Sequence, residues 1–151
     1  MALHDLLHTH SNYIIDEAIV ALRRLHLEHY EKAGADHIHQ RIKALFVLTT
    51  RAVKERNVGP MVAHATTIAE ERFQTGYDLS EVQTAFNVLE EAIWRLIIKE
   101  MRPEELAEAL GLAATVLGAG KDALARGYVS LACKTKAPSL NLQSLFTGTQ
   151  G

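Results

Sequence analysis

The sequence predicts an all-α domain, a bundle of five helices or, with one extra break, six, and three observations carry that expectation. Apolar residues recur at three- and four-residue spacing along nearly the whole chain. No stretch rich in β-branched residues is flanked by turn pairs, so strands are not expected. Glycine or proline closes each periodic run, at Gly34, Gly59-Pro60, Gly76 and Pro103. The chain has 151 residues, 48% of them apolar, which suits one domain with one continuous core.

The first helix is expected over 3–32, with Ile14, Ile15, Ala18, Ile19, Leu22, Leu25 and His29 in one stripe. A break near Ser11-Asn12 would divide it, and Gly34 ends it with a left-handed residue. Asp36 then caps a second helix that turns Ile38, Ile42, Leu45, Phe46, Thr49, Ala52 and Val53 inward and stops at Asn57-Val58-Gly59. Pro60 suits the first turn of a third helix, whose inward residues are Met61, Ala65, Ile68, Ala69 and Phe73 and which stops at Gly76. The fourth begins with capping-box spacing in either of two registers, Ser80 with Gln83 or Asp78 with Glu81. Its core face is Val82, Ala85, Phe86, Leu89, Ile93, Leu96 and Ile97, with Trp94 on a flank, and Pro103 breaks it after Met101.

The fifth helix carries Glu104 and Glu105 in its first turn and runs to about Cys133. Gly111, Gly118, Gly120 and Gly127 lie inside it, each costing about 1 kcal/mol relative to alanine. Ala113, Gly120 and Gly127 recur every seven residues, a line along which another helix can approach closely. That helix is either one from a second copy, making Ala113, Gly120 and Gly127 a dimer interface, or one from the same chain. The domain is expected to span 1–133. A tail follows over 134–151, whose Leu140, Leu142, Leu145 and Phe146 could dock on the body or on a partner.

Charge and chemistry exclude more than they select. With 16 Lys and Arg against 18 Asp and Glu the formal charge is -2, so nucleic acid is not an expected partner. The single cysteine, Cys133, permits no internal disulfide and reads as a small buried or half-buried filler, and the first residues lack signal-peptide features, so the cytoplasm is the expected location. The longest nearly apolar run, 110–120, is too short to span a bilayer, so no membrane association is expected. Seven of the eight histidines fall in the first forty residues, and His4 and His8 share a helical face. Neither a carboxylate at zincin spacing nor a nearby cysteine completes a metal site, so these read as surface histidines. No Glu-x-x-His motif supports a di-iron bundle. His64, mid-helix beside Ala65 and Ile68 in a chain of globin length, is the one candidate haem ligand. With no nucleophile elbow, phosphate loop or assignable base, no enzyme and no cofactor are expected.

The stretch 69–94 resembles a known family. An arginine near a helix end, Arg72, precedes a Gly-aromatic-x-Leu turn, Gly76-Tyr77-Asp78-Leu79. An amphipathic helix follows, with Phe86 four residues beyond its first valine, Val82. This pattern resembles the N-terminal sensor domain of RsbR-type stressosome proteins, the RsbT co-antagonist N-terminal domain, and weaker similarity extends over 38–131. The resemblance implies a globin-like domain without haem, its pocket filled by side chains, that forms a homodimer and passes a signal to an output domain or a downstream signalling protein in bacterial stress or two-component signalling. The segment 134–151 holds no such output domain, so a free-standing module or a piece of a longer protein is expected. Physically, Gly76 permits the turn, Leu79 and Ser80 open the fourth helix, and Arg72 is expected to satisfy carbonyls at the end of the third. The competing expectation is a haem- or metal-binding globin-like sensor using His64, or His4 and His8.

Overall fold

A computed structural model describes residues 2–135, and every regular element among them is helical. The order is α1 Leu3–Thr9, α2 Ser11–Arg24, α3 Glu28–Ala33, α4 Ala35–Glu55, α5 Gly59–Gln74, α6 Leu79–Glu100 and α7 Leu106–Thr135, with a single 3₁₀ turn, Pro103–Glu105, leading into α7. The fold is all-α and consistent with a globin-like bundle, but the expected first helix is three helices. His10 departs from helical geometry (φ -109°, ψ 23°) one residue before the anticipated break. A second break follows at His26, which takes a positive φ of 49° ahead of an extended Leu27. The apolar stripe ends with Leu22; Leu25, assigned to it by periodicity, is exposed. Turning the chain there lets α3 fold back and bury Tyr30.

The middle of the chain follows its sequence closely. Gly34 (φ 91°, ψ 166°) closes α3 and is also the residue before α4, a conformation open to glycine without penalty. Asp36 therefore lies in the first turn of α4, where its charge suits the helix dipole, and is not the cap. All seven residues expected to face inward from this helix are buried. Arg56 ends it in the left-handed region, and Asn57 Oδ1 accepts the Gly59 N–H at 3.0 Å just ahead of Pro60. Cys133 is exposed on α7, not buried. Lys134 and Thr135 complete α7, and the rest of the expected tail, with Leu140, Leu142, Leu145 and Phe146, lies outside the described residues.

Packing centres on α7, which lies against α5 and α6, while α2 covers α6 from the other side. The glycine line on α7 is used inside this crossing. A Cβ at Gly127 would stand 2.6 Å from Ala69 Cβ, and one at Gly120 would stand 2.7 Å from Phe86 and 3.0 Å from Met61 Sδ. Ala113 and Gly120 are buried and Gly127 is half-buried, and the close-approaching neighbours of Gly120 and Gly127 within the chain are Met61 and Ala69 of α5 and Phe86 of α6. Gly111 and Gly118 differ, because a Cβ at either meets nothing within 4 Å. Alanine at each should stabilise the protein by about 1 kcal/mol, since only the helix-propensity difference remains. Thermal denaturation of the two single variants checks this, and a lower melting temperature in either would show an unrecognised close contact.

Candidate functional site at the turn between α5 and α6

The connection from α5 to α6 is built by Gly76 in a positive-φ conformation (88°). The carbonyls at the end of α5 are satisfied locally: Thr75 N–H and Oγ1–H donate to Glu71 O, Gly76 N–H to Phe73 O, and Tyr77 N–H to Arg72 O at 2.9 Å. The Arg72 side chain is thereby released from the capping role the sequence suggested. Of the two registers left open for the next helix, Asp78 with Glu81 forms the capping box, and Glu81 Oε1 accepts the Asp78 N–H at 3.1 Å. Ser80 sits exposed in the first turn, Leu79 packs on the core margin, and Phe86 is buried beneath Gly120.

Reversing the chain buries Tyr77 and makes it the meeting point of three other helices. Its hydroxyl donates to His29 O in α3 at 3.2 Å and accepts from Arg41 Nη1 in α4 at 2.5 Å. Its own carbonyl accepts from the fully buried Tyr128 hydroxyl of α7 at 2.9 Å. The buried Glu81 carboxylate of α6 takes His29 twice, the backbone N–H at 3.1 Å and Nδ1 at 2.6 Å. Because a carboxylate only accepts, the proton lies on Nδ1. The Tyr77 ring stacks at a tilt on His29, 4.9 Å between centroids, and meets Tyr30 edge-on at 5.3 Å. Burial raises the Tyr128 phenol well above its ordinary range, and burial pushes Tyr30 up to about 12 against the opposing pull of Arg72 and Arg41. Both phenols therefore stay protonated donors at neutral pH.

Arg41 and Arg72 place their guanidinium groups 5.3 and 5.7 Å from the Tyr77 ring centroid, within cation–π range. Arg72 is buried, pairs through Nη1 with the exposed Glu71 carboxylate, and leaves Nε without an acceptor. Beside it is a cavity of about 20 Å³ between α4, α5 and α6, walled by Ile42, Leu45, Ile68 and Phe86 as well as by Arg41, Arg72 and Tyr30.

The candidate ligand histidines are elsewhere. His64 is half-buried on α5, two turns before Arg72, and burial, helped by the Arg72 charge, lowers its imidazole below the usual value. The cavity farther along that helix has room for about one water, far less than a porphyrin needs. His4 lies 3.4 Å from Asp5 and His8 is exposed one turn on; among the described residues no three His, Cys, Asp or Glu side chains are grouped to hold a metal ion. Sequence reasoning found Arg72, Gly76 and the Asp78–Glu81 spacing but missed Arg41, Tyr30 and Tyr128. His29 was placed on an inward stripe, a correct signal for its face that said nothing of its partner.

Among the described residues no helix is long and apolar enough to cross a membrane. Comparison with curated proteins and with solved structures finds no match. The family described as the RsbT co-antagonist protein rsbRD N-terminal domain matches residues 12–130, a stretch that begins in α2, earlier than the motif-based similarity, and contains the whole turn. With most of its length accounted for in this way, the chain belongs to the RsbT co-antagonist rsbRD N-terminal domain family.

Proposed function

We propose that the chain, a stressosome-type signalling domain by family, is a haem-free, non-enzymatic cytoplasmic sensor that works as a homodimer and transmits by shifts in helix packing. The observation that carries this reading is the Tyr77 turn, whose hydrogen bonds tie α3 and α4 on one side to Tyr128 of α7 on the other. A displacement of any of these helices changes the support of α7, the helix leading out of the described domain toward any output domain or downstream protein. Buried packed contacts of this kind switch between discrete arrangements more readily than they deform continuously.

With Ala113, Gly120 and Gly127 engaged within the protomer, the dimer is assigned to the groove of about 300 Å³ between α2 and α6. Exposed Val20 and Leu25 line it with Val88 and Ala92, and both charge signs border it, Glu17 and Glu91 against Arg24 and Arg95. A two-fold pairing can set such a patch against itself. Light scattering coupled to size-exclusion chromatography should give a dimer at micromolar concentration and a monomer for Val20→Asp. A monomeric wild-type chain would overturn this reading. Added haem should show no Soret shift, and a shift abolished by His64→Ala would replace the haem-free sensor with a haem-binding one.

A further inference from the structure

We infer that the cavity between α4, α5 and α6 is a binding site for a small monovalent anion, held by Arg72 and Arg41. Arg72 is only 6% exposed and its Nε–H has no acceptor, an unusual state for a group that is almost always hydrogen-bonded when buried. Its one acidic partner, Glu71, is exposed and sits on the solvent side of the guanidinium. Arg41 has no carboxylate partner among the described residues; its Nη1 is spent on the Tyr77 hydroxyl. Glu81, the nearby buried carboxylate, is turned toward His29 and the Asp78 N–H. Two arginine side chains thus line one small space, Arg72 with one exposed acidic partner and Arg41 with no carboxylate partner among the described residues.

The third donor is Tyr30. Its side chain is largely buried and lines the same cavity, and its hydroxyl oxygen keeps some contact with solvent. Two arginines and a tyrosine lining an otherwise apolar space are the chemistry of an anion site, because charge-assisted hydrogen bonds are about twice as strong as neutral ones. The volume, about 20 Å³, sets the size. It holds a halide as it stands, or the carboxylate end of a short acid whose alkyl part displaces Ile42 or Phe86 slightly; nucleotides and sugars are far too large. A single water would satisfy Nε but would leave the charge of both arginines in place. As a binding site this stands on the cavity alone; as the sensed signal it rests on the sensor reading above.

The test uses the ¹⁵N-labelled chain and follows the Arg72 Nε–H resonance while sodium chloride, bromide, formate or acetate replaces sodium sulfate at constant ionic strength. Saturable shifts with the halides identify a halide site, and saturable shifts with formate and acetate identify a carboxylate site; either supports the proposal. Arg41→Gln should weaken the affinity at least tenfold, and Tyr30→Phe, which keeps the ring packing, should weaken it about threefold should Arg41→Gln fail to fold. A resonance insensitive to all four anions, or one that shifts alike in sulfate, overturns the proposal. Saturation in a monomeric chain would keep this site while removing the dimer reading, and no saturation in a dimer would do the reverse.

Discussion

Gly127→Ala should destabilise the protein by about 1–3 kcal/mol, although the same substitution in an unobstructed helix would stabilise it by about 1 kcal/mol. The sign follows from geometry. The new methyl would stand 2.6 Å from Ala69 Cβ, and neither atom can rotate away, since each is fixed to its own helix backbone. α5 and α7 must then separate along their length, loosening Ala65, Ala69, Leu124 and Tyr128, all buried at or near this crossing. For a chain of this size the loss corresponds to a melting temperature lower by roughly 5 °C. Gly120→Ala should cost less, because the atoms it meets, in Phe86 and Met61, are the ends of side chains that can move. Ala69→Gly combined with Gly127→Ala should recover part of the loss, a coupling that only direct contact produces. Thermal denaturation of the single and double variants checks this. A Gly127→Ala protein as stable as the parent would place the glycine line outside the crossing.

Glu81→Ala should cost about 3 kcal/mol, because one truncation orphans three donors. The carboxylate accepts from His29 N, His29 Nδ1 and Asp78 N, at 3.1, 2.6 and 3.1 Å, and it is buried. Two of those donors are backbone groups that cannot turn to water without unwinding the first turns of α3 and α6. Glu81→Gln should lie between the parent and the alanine variant, since it keeps one acceptor oxygen and loses the charge. Urea unfolding measures both changes; equal midpoints for the parent and Glu81→Ala would mean that neither the capping-box bond to Asp78 N nor the link to His29 of α3 adds to stability.

Local features were legible in the sequence and distant ones were not. The inward faces of α4 and α6 could be read residue by residue because a 3.6-residue period shows itself within one helix. The turn was legible for the same reason: Gly76, the Asp78–Glu81 spacing and Leu79 act on neighbours a few residues away. The breaks at His10 and His26 were not fully anticipated because histidine carries no breaking signal; the fold-back of α3 is decided by where Tyr30 can be buried. Arg41, His29 and Tyr128 reach Tyr77 and Glu81 across separations of 36, 52 and 51 residues, which no local pattern encodes. The glycine line showed the requirement for close approach but not the identity of the approaching helix, since a helix of the same chain and one of a second copy ask for the same missing Cβ. Arg72 was found through its position, and its role changed once Thr75, Gly76 and Tyr77 proved to satisfy the carbonyls it was expected to cap.

The central claim is that the Tyr77 turn couples α3 to α7, and hydrogen exchange in Tyr128→Phe tests it most directly. The substitution removes only the hydroxyl that donates to Tyr77 O at 2.9 Å, on α7, and touches no atom of α3. Coupling predicts faster amide exchange both in the last turns of α7 and in Glu28–Ala33, because loosening Tyr77 weakens its hold on His29 O. Faster exchange confined to α7, with α3 protected as in the parent, would contradict the account.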